Sequence, residues 1–168
     1  EGIDIMLTLD VSSSMEAKDL GAASRLEVAK KVVADFISGR ISDRVGMVVF
    51  AGQSFTQCPL TLDYDILVDF LKDIRIAEEE WDGTAIGMAL INACNRLKDS
   101  GADSKVVILL TDGVNNAGEI DPMTAADAAA AIGVRVYSIG VGRQVSARAR
   151  GRVEFDEEAL GSIAQRTG

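Results

Sequence analysis

Five side chains with oxygen donors fall in three short segments of the sequence. The first segment contains Asp10, Ser12 and Ser14 in the pattern Asp-x-Ser-x-Ser, the second contains Thr84, and the third contains Asp112 within Thr-Asp-Gly. Carboxylate and hydroxyl oxygens are hard ligands, which suit Mg²⁺, Mn²⁺ or Ca²⁺ and suit Zn²⁺ poorly. If the three segments meet in the fold, they can form a single site for a hard divalent cation.

The neutral and the charged donors of such a site have different expected roles. We expect the hydroxyls of Ser12, Ser14 and Thr84 to bind the ion directly, and one or both of Asp10 and Asp112 to act through water. Mg²⁺ prefers octahedral oxygen coordination and usually keeps several waters, so at least one position stays open to an incoming ligand. An Asp or Glu carboxylate of a partner protein can fill that position. We therefore expect the cofactor to be Mg²⁺ or Mn²⁺, with Ca²⁺ as a less favoured alternative.

The composition excludes several other kinds of site. The chain has 168 residues with 17 Lys and Arg against 26 Asp and Glu, so it has the size of one domain and a net charge of −9. This charge argues against nonspecific nucleic-acid binding, which requires a basic surface. The absence of His excludes Ser-His-Asp and Cys-His catalysis and His-containing zinc sites. The apolar runs are far shorter than the roughly 20 residues of a membrane-spanning helix.

Short β-rich runs alternate along the chain with amphipathic helical patterns. Two of them, Arg44–Phe50 and Lys105–Thr111, are almost continuously apolar, as expected for strands buried on both faces. Further strands are predicted at Ile3–Leu9, at Val134–Ile139 and, as a short edge strand, at Ser54–Gln57. Helices are predicted over Thr84–Lys98, after the capping box Ser24–Glu27, and after the N-caps Asp63, Asp121 and Asp156.

This alternation predicts a single doubly wound α/β domain over residues 1–168. Right-handed crossovers give a mostly parallel sheet with helices on both faces and, here, one antiparallel edge strand. Ligands of such sheets bind outside the carboxyl ends of the strands, where the strand order reverses. If the first strand and the Lys105–Thr111 strand are neighbours there, the three oxygen-bearing segments converge. The Arg-rich segment Arg143–Arg152 is predicted to be a loop.

As a set, Asp10, Ser12, Ser14, Thr84 and Asp112 resemble the metal-ion-dependent adhesion site of the von Willebrand factor type A domain. Residues 55–61, 82–87 and 110–118 look like the bacterial aerotolerance (BatA-like) membrane proteins of that family. The resemblance implies a Rossmann-like sheet, a divalent cation and protein binding rather than catalysis. It also implies association with other aerotolerance proteins and a MoxR-type ATPase.

The ends of the chain and the resemblance together lead to three expectations about the protein as a whole. The sequence begins Glu1-Gly2-Ile3 without Met, so we expect it to be a piece of a longer protein. The resemblance implies that this protein is anchored in a membrane by segments outside the chain, with the domain itself facing the periplasm or the cytoplasm. It also implies that the last strand and helix of the domain are missing after Gly168.

Other functional interpretations of the same residues stay open at this point. Asp10 at a strand end could be the nucleophile of a Mg²⁺-dependent phosphotransfer or phosphatase enzyme. Enzymes of that type usually carry a second carboxylate where Ser12 stands, and no Lys is close to the Asp112 loop. A third interpretation is an inert scaffold in which the Asp and Ser side chains only cap turns.

Three further residues have two interpretations each. Trp81 either forms part of the rim of the metal face or lies half-buried on the surface of its own domain. Cys58 and Cys94 are expected to be buried, and one disulfide between them stays possible.

The sequence leaves open the partner, the membrane side and the oligomeric state. Whether metal binding changes the conformation is open as well.

Overall fold

Five strands form one mixed sheet in the computed structural model, which describes residues 2–113, 115–142 and 157–168. The sheet order is β3-β2-β1-β4-β5, with β3 antiparallel to β2 and the other pairs parallel. This is the predicted doubly wound, Rossmann-like architecture. The strands are β1 (Asp4–Asp10), β2 (Arg44–Phe50), β3 (Ser54–Thr61), β4 (Lys105–Thr111) and β5 (Val134–Gly140).

Five helices cover the two faces of this sheet and divide the core into two layers. One layer, which contains Leu7 of β1, packs against α1 and α2, and the other, which contains Met6, packs against α3, α4 and α5. Successive residues of β1 enter opposite layers because side chains alternate along a strand. The helices are α1 (Arg25–Ser38), α2 (Tyr64–Asp73), α3 (Ile86–Leu97), α4 (Pro122–Ala131) and α5 (Glu157–Thr167).

Three predicted N-caps are confirmed by their hydrogen bonds. The Ser24 hydroxyl accepts from the N–H of Glu27 at 3.1 Å, and the Glu27 carboxylate accepts from the N–H of Ser24 at 2.6 Å, which completes a capping box. Asp63 and Asp121 accept hydrogen bonds from backbone N–H groups three residues further on. These side chains satisfy N–H groups that have no partner within the first helical turn.

Several predicted boundaries differ from the structure. The first strand runs from Asp4 to Asp10 rather than from Ile3 to Leu9. The edge strand continues to Thr61 instead of ending at Gln57, and Pro59, which has no N–H, is tolerated because the strand has a partner on one side only. The predicted cap Asp156 and the predicted loop Arg143–Arg152 lie outside the described residues.

The sheet order sets the position of the predicted metal ligands. β1 pairs with β2 on one side and with β4 on the other, and Leu9 of β1 is in register with Leu110 of β4. The strand order therefore reverses between β1 and β4. Asp10 ends β1 and Asp112 follows β4, so the two carboxylates lie at the same carboxyl edge of the sheet.

We expect both cysteine thiols to be free and unreactive in the folded protein. Cys58 lies in the layer with α1 and α2, whereas Cys94 lies in the layer with α3 and α4, so the sheet separates them. Burial raises the pKa of both thiols, that of Cys94 to about 11, which disfavours the reactive thiolate. A thiol-specific chromogenic reagent should label neither residue in the native protein. In denaturant it should label both residues even without a reductant, because no disulfide joins them. Rapid labelling of the native chain would contradict this expectation.

Candidate metal centre

The loop after β1 places two hydroxyls side by side at the edge of the sheet. Asp10 is buried, and its Oδ1 accepts a hydrogen bond of 2.8 Å from the backbone N–H of Ser12. Ser13–Glu16 forms a 3-10 turn that is anchored by Met15, whose side chain is buried in the core. In this turn the hydroxyl oxygens of Ser12 and Ser14 lie 3.0 Å apart. The local turn that Asp and Ser favour thus also builds a pair of oxygen donors.

Two hydrogen bonds between side chains join this loop to the end of β4. The Ser14 hydroxyl donates to Oδ2 of Asp112, and the Thr111 hydroxyl donates to Oδ2 of Asp10 at 2.6 Å. Asp10, Ser12 and Asp112 are all buried, whereas Ser14 is exposed. The cluster is therefore closed towards the core and accessible from the side of Ser14.

The loop before α3 is joined to the neighbouring loops by the side chain of Asp82 and by the backbone of Thr84. Oδ1 of Asp82 accepts a hydrogen bond of 2.8 Å from the N–H of Ser13. Thr84 is buried, its N–H donates to Oδ1 of Asn116 at 2.8 Å, and its carbonyl accepts from the N–H of Asn116 at 3.0 Å. The structure thus brings the other four predicted ligands into one hydrogen-bonded group and ties the loop of Thr84 to both neighbouring loops. Coordination of a metal ion by Thr84, and by the other four residues, stays a prediction.

Two asparagines after β4 have positioning roles that we did not predict. Asn116 holds Thr84, and Oδ1 of Asn115 accepts a hydrogen bond of 2.9 Å from the N–H of Ile86, the first residue of α3. Ala85, the residue before Ile86, has no side chain that can cap the helix. α3 therefore starts at Ile86, two residues after its predicted start at Thr84.

A buried arginine also lies beside the cluster, and we did not predict it either. Nε and Nη2 of Arg25 donate to the two carboxylate oxygens of Asp19 at 2.9 and 2.8 Å. Nη1 of the same guanidinium lies 3.6 Å from Oδ2 of Asp112. Gly142 leaves room for this group, since a Cβ at that position would lie 3.2 Å from Cζ of Arg25. One feature of the sequence could have indicated this role. Arg25 is the first residue of α1, and a cation in the first turn of a helix is disfavoured by the helix dipole unless an acidic group lies nearby.

The electrostatics of the cluster favour a bound cation. Desolvation raises the pKa of Asp10 to about 6, hydrogen bonds from Ser12 and Thr111 oppose the shift, and the charge of Asp112 adds to it. Burial and the neighbouring charge disfavour the ionised form of this carboxyl group, so a nearby positive charge stabilises it. Among the described residues, no group of three or more Asp, Glu, Cys or His side chains could hold a metal ion. A cation bound beside Asp10 and Asp112 would take its other ligands from hydroxyls or water, and such a mixed donor set fits a hard divalent cation.

We expect the metal-free protein to lose stability as the pH rises through about 6. The pKa of Asp10 in the folded state is about 6 against 3.8 for an unperturbed Asp, so the folded state binds this proton more tightly than the unfolded state. This contribution is fully present below pH about 4 and is lost above pH about 6. Urea unfolding of chelator-treated wild type and Asp10→Asn across this window measures it. The outcome that contradicts it is an identical pH dependence in both proteins.

Comparison with known proteins agrees with the fold. The sequence model of the von Willebrand factor type A domain matches residues 4–168. An aerotolerance-related membrane protein from Bacteroides fragilis NCTC 9343 is 31% identical, with 99% of this chain and 88% of that chain covered and a TM-score of 0.83. The hypothetical protein BatB from Bacteroides thetaiotaomicron is 33% identical, with 99% and 87% covered and a TM-score of 0.85.

A more distant solved structure contains a metal. It is proximal thread matrix protein 1 from the mussel byssus, whose metal-ion-dependent adhesion site (MIDAS) motif is occupied by zinc. That protein is 26% identical, with 99% of this chain and 40% of that chain covered and a TM-score of 0.79. The chain spans less than half the length of its curated relatives in Borreliella burgdorferi and Mycolicibacterium paratuberculosis, 41% and 48%. By its sequence match over residues 4–168 and its sheet topology, this chain belongs to the von Willebrand factor type A domain family.

Proposed function

We propose that this domain binds a partner protein through a divalent cation. The hydroxyls of Ser12, Ser14 and Thr84 hold the ion, and Asp10 and Asp112 offset its charge, one or both through water. The observation that carries this proposal is the hydrogen-bonded group of two carboxylates and two serine hydroxyls at the point where the strand order reverses. The Ser14 hydroxyl donates to Asp112, and an ion bound by both residues would replace that contact.

The exposure of Ser14 gives the proposed ion its role in binding. The ion is screened from the core side by buried ligands and faces solvent at Ser14. A partner's Asp or Glu can therefore replace a bound water without any movement of the sheet. Because the direct protein ligands are neutral hydroxyls, the ion keeps most of its charge for this incoming carboxylate.

The enzyme alternative has less support from the geometry of Asp10. Both oxygens of its carboxylate accept hydrogen bonds, one from the N–H of Ser12 and one from the hydroxyl of Thr111, and the residue is buried. A carboxylate nucleophile must present a free oxygen to the phosphorus atom. We therefore propose that the domain is not an enzyme, and that assays with simple phosphoesters show no turnover that depends on Asp10.

We further propose that the ion in the cell is Mg²⁺ or Mn²⁺, and that the domain is part of a membrane-anchored aerotolerance complex with a MoxR-type ATPase. Neighbours from Bacteroides support the complex, since one of them is described as an aerotolerance-related membrane protein. Within the described residues, no helix is long and apolar enough to cross a bilayer. Because that neighbour is a membrane protein, we propose that this domain is anchored through parts of the protein outside this chain.

Retention of a partner from native membranes tests the proposed function. The tagged domain is incubated with a detergent extract of the source membranes in Mg²⁺, and bound protein is eluted with EDTA. We expect the eluted protein to be absent when Ser12→Ala/Ser14→Ala replaces the wild-type domain, and to be unaffected by the control Ser100→Ala at the opposite end of the sheet. A partner that is retained equally with and without chelator would refute metal-dependent binding.

A further inference from the structure

Two partly exposed aromatic rings form a fixed apolar surface that the metal cluster does not use. Phe55 at the start of β3 and Trp81 before α3 pack edge to face, with ring centroids 6.5 Å apart and an interplanar angle of 85°. Their exposed fractions are 53% and 41%. Paired aromatic side chains of this kind lose little entropy when a partner covers them. We call Phe55 and Trp81 the aromatic ledge.

The aromatic ledge is attached to the loops of the metal cluster. The carbonyl of Trp81 accepts a hydrogen bond of 2.9 Å from the N–H of Gly52, and a Cβ at Gly52 would lie 2.5 Å from the carbonyl oxygen of Asp82. Asp82 in turn accepts the hydrogen bond from Ser13, between the two serine ligands. Trp81 is three residues from Thr84, so their Cα atoms are at most about 10 Å apart. A short peptide can therefore reach the ion and the ledge at once.

The surface next to the aromatic ledge is strongly acidic. Glu78, Glu79 and Glu80 are exposed, and none of them forms an ion pair with another described residue. Asp82, whose carboxylate accepts the hydrogen bond from the N–H of Ser13, adds a further acidic side chain to this surface. Nucleic acid and other polyanions are repelled from such a surface, whereas basic side chains are attracted to it.

We propose that the aromatic ledge and Glu78–Glu80 select the partner, and that the partner is a protein segment with three features in close succession. An Asp or Glu binds the ion, an apolar side chain within about three residues packs on Phe55 and Trp81, and a Lys or Arg faces the glutamates. The ion alone accepts any accessible carboxylate, so the ledge and the glutamates supply the discrimination. This proposal rests on the proposed function, since it requires a bound cation.

A peptide array tests the proposal. Each peptide contains one fixed Asp, the surrounding positions vary over all residue types, and the wild-type domain is applied with saturating Mg²⁺. We expect binding to favour apolar or aromatic residues together with Lys or Arg near the Asp, and to vanish with EDTA. Fluorescence of Trp81, which is the only Trp in the chain, should change when the strongest peptide is added.

Matched variants locate the contact. The Trp81→Ala variant should bind the strongest peptide with an affinity at least about tenfold lower than that of wild type, as expected for a central aromatic anchor. Tyr137→Ala, at a ring of similar exposure (52%) on β5, should leave the affinity for this peptide unchanged.

The triple variant Glu78→Gln/Glu79→Gln/Glu80→Gln should lose the preference for Lys and Arg. The control Asp35→Asn/Asp99→Asn/Asp103→Asn, which changes the net charge equally at exposed positions, should keep this preference.

Titration calorimetry with Mg²⁺ alone distinguishes the two ways of failing. If Mg²⁺ binds but the array shows no such preference, or Trp81→Ala binds the strongest peptide as well as Tyr137→Ala does, the role of the ledge is refuted and the metal site stands. If wild type binds no Mg²⁺, the proposed function fails and the ledge proposal fails with it. Normal Mg²⁺ affinity of Trp81→Ala together with weak peptide binding supports the proposal.

Discussion

Asp10→Asn is expected to reduce the affinity for Mn²⁺ by about a hundredfold or more. The substitution removes one of the two negative charges beside the proposed ion, in a buried site where charge interactions are strong. The fold should survive, because the Asn Oδ1 can still accept from the N–H of Ser12 and its Nδ2 can donate to the Thr111 hydroxyl. Titration calorimetry of chelator-treated protein with MnCl₂ measures the change.

The control for this variant is Asp99→Asn, which removes an exposed carboxylate outside the metal cluster. Its affinity for Mn²⁺ should equal that of wild type. Circular dichroism of both variants establishes that each is folded before titration. Equal Mn²⁺ affinity of Asp10→Asn and wild type would remove Asp10 from the site.

Arg25→Met is expected to lower the free energy of unfolding of the metal-free protein by about 3 kcal/mol or more. The guanidinium is buried between Asp19 and Asp112, and its removal leaves both carboxylates without this cation. Breaking a buried charge network by deletion of one member typically costs about 3–5 kcal/mol. Met retains much of the length and apolar surface of the side chain, so the loss reports on charge more than on packing.

The matched control is Arg166→Met, which removes an arginine from an ion pair with Asp127 in which both side chains are more than half exposed. A surface pair of this kind contributes at most about 1 kcal/mol. Urea unfolding followed by circular dichroism gives both values. If the two variants lose the same small free energy, Arg25 is not the counter-charge that we infer for the cluster.

Much of the fold could be predicted because its local signals agree with each other. The apolar runs Arg44–Phe50 and Lys105–Thr111 are strands buried on both faces, and their bounds were predicted correctly. The caps at Ser24, Asp63 and Asp121 carry their own sequence pattern. Where the signal is local, in a strand run or a cap, sequence and structure agree closely.

The errors arise where a distant segment decides the local structure. β3 continues through Pro59 to Thr61 because it pairs with β2, with register shifts around Met47 that the sequence does not indicate. α3 begins at Ile86 because Asn115, on another loop, accepts its first N–H. No periodicity within residues 84–98 contains this information.

The candidate site could be predicted in part for the same reason. Asp10, Ser12 and Ser14 form a local turn, and the position of Asp112 beside them follows from the parallel pairing of β1 with β4. The positions of Arg25 and Asn116 depend on how loops pack across the edge of the sheet, which leaves no pattern in neighbouring residues. The residues that hold the predicted ligands in position were therefore harder to predict than the convergence of the predicted ligands.

The most direct measurement is anomalous diffraction from a crystal of this chain soaked in Mn²⁺. We predict one strong anomalous peak at the carboxyl edge between β1 and β4, at coordination distance from the hydroxyl oxygens of Ser12, Ser14 and Thr84. A well-ordered crystal with Mn²⁺ bound elsewhere, or with no peak beside these three hydroxyls, would contradict the assignment of a metal centre to this cluster.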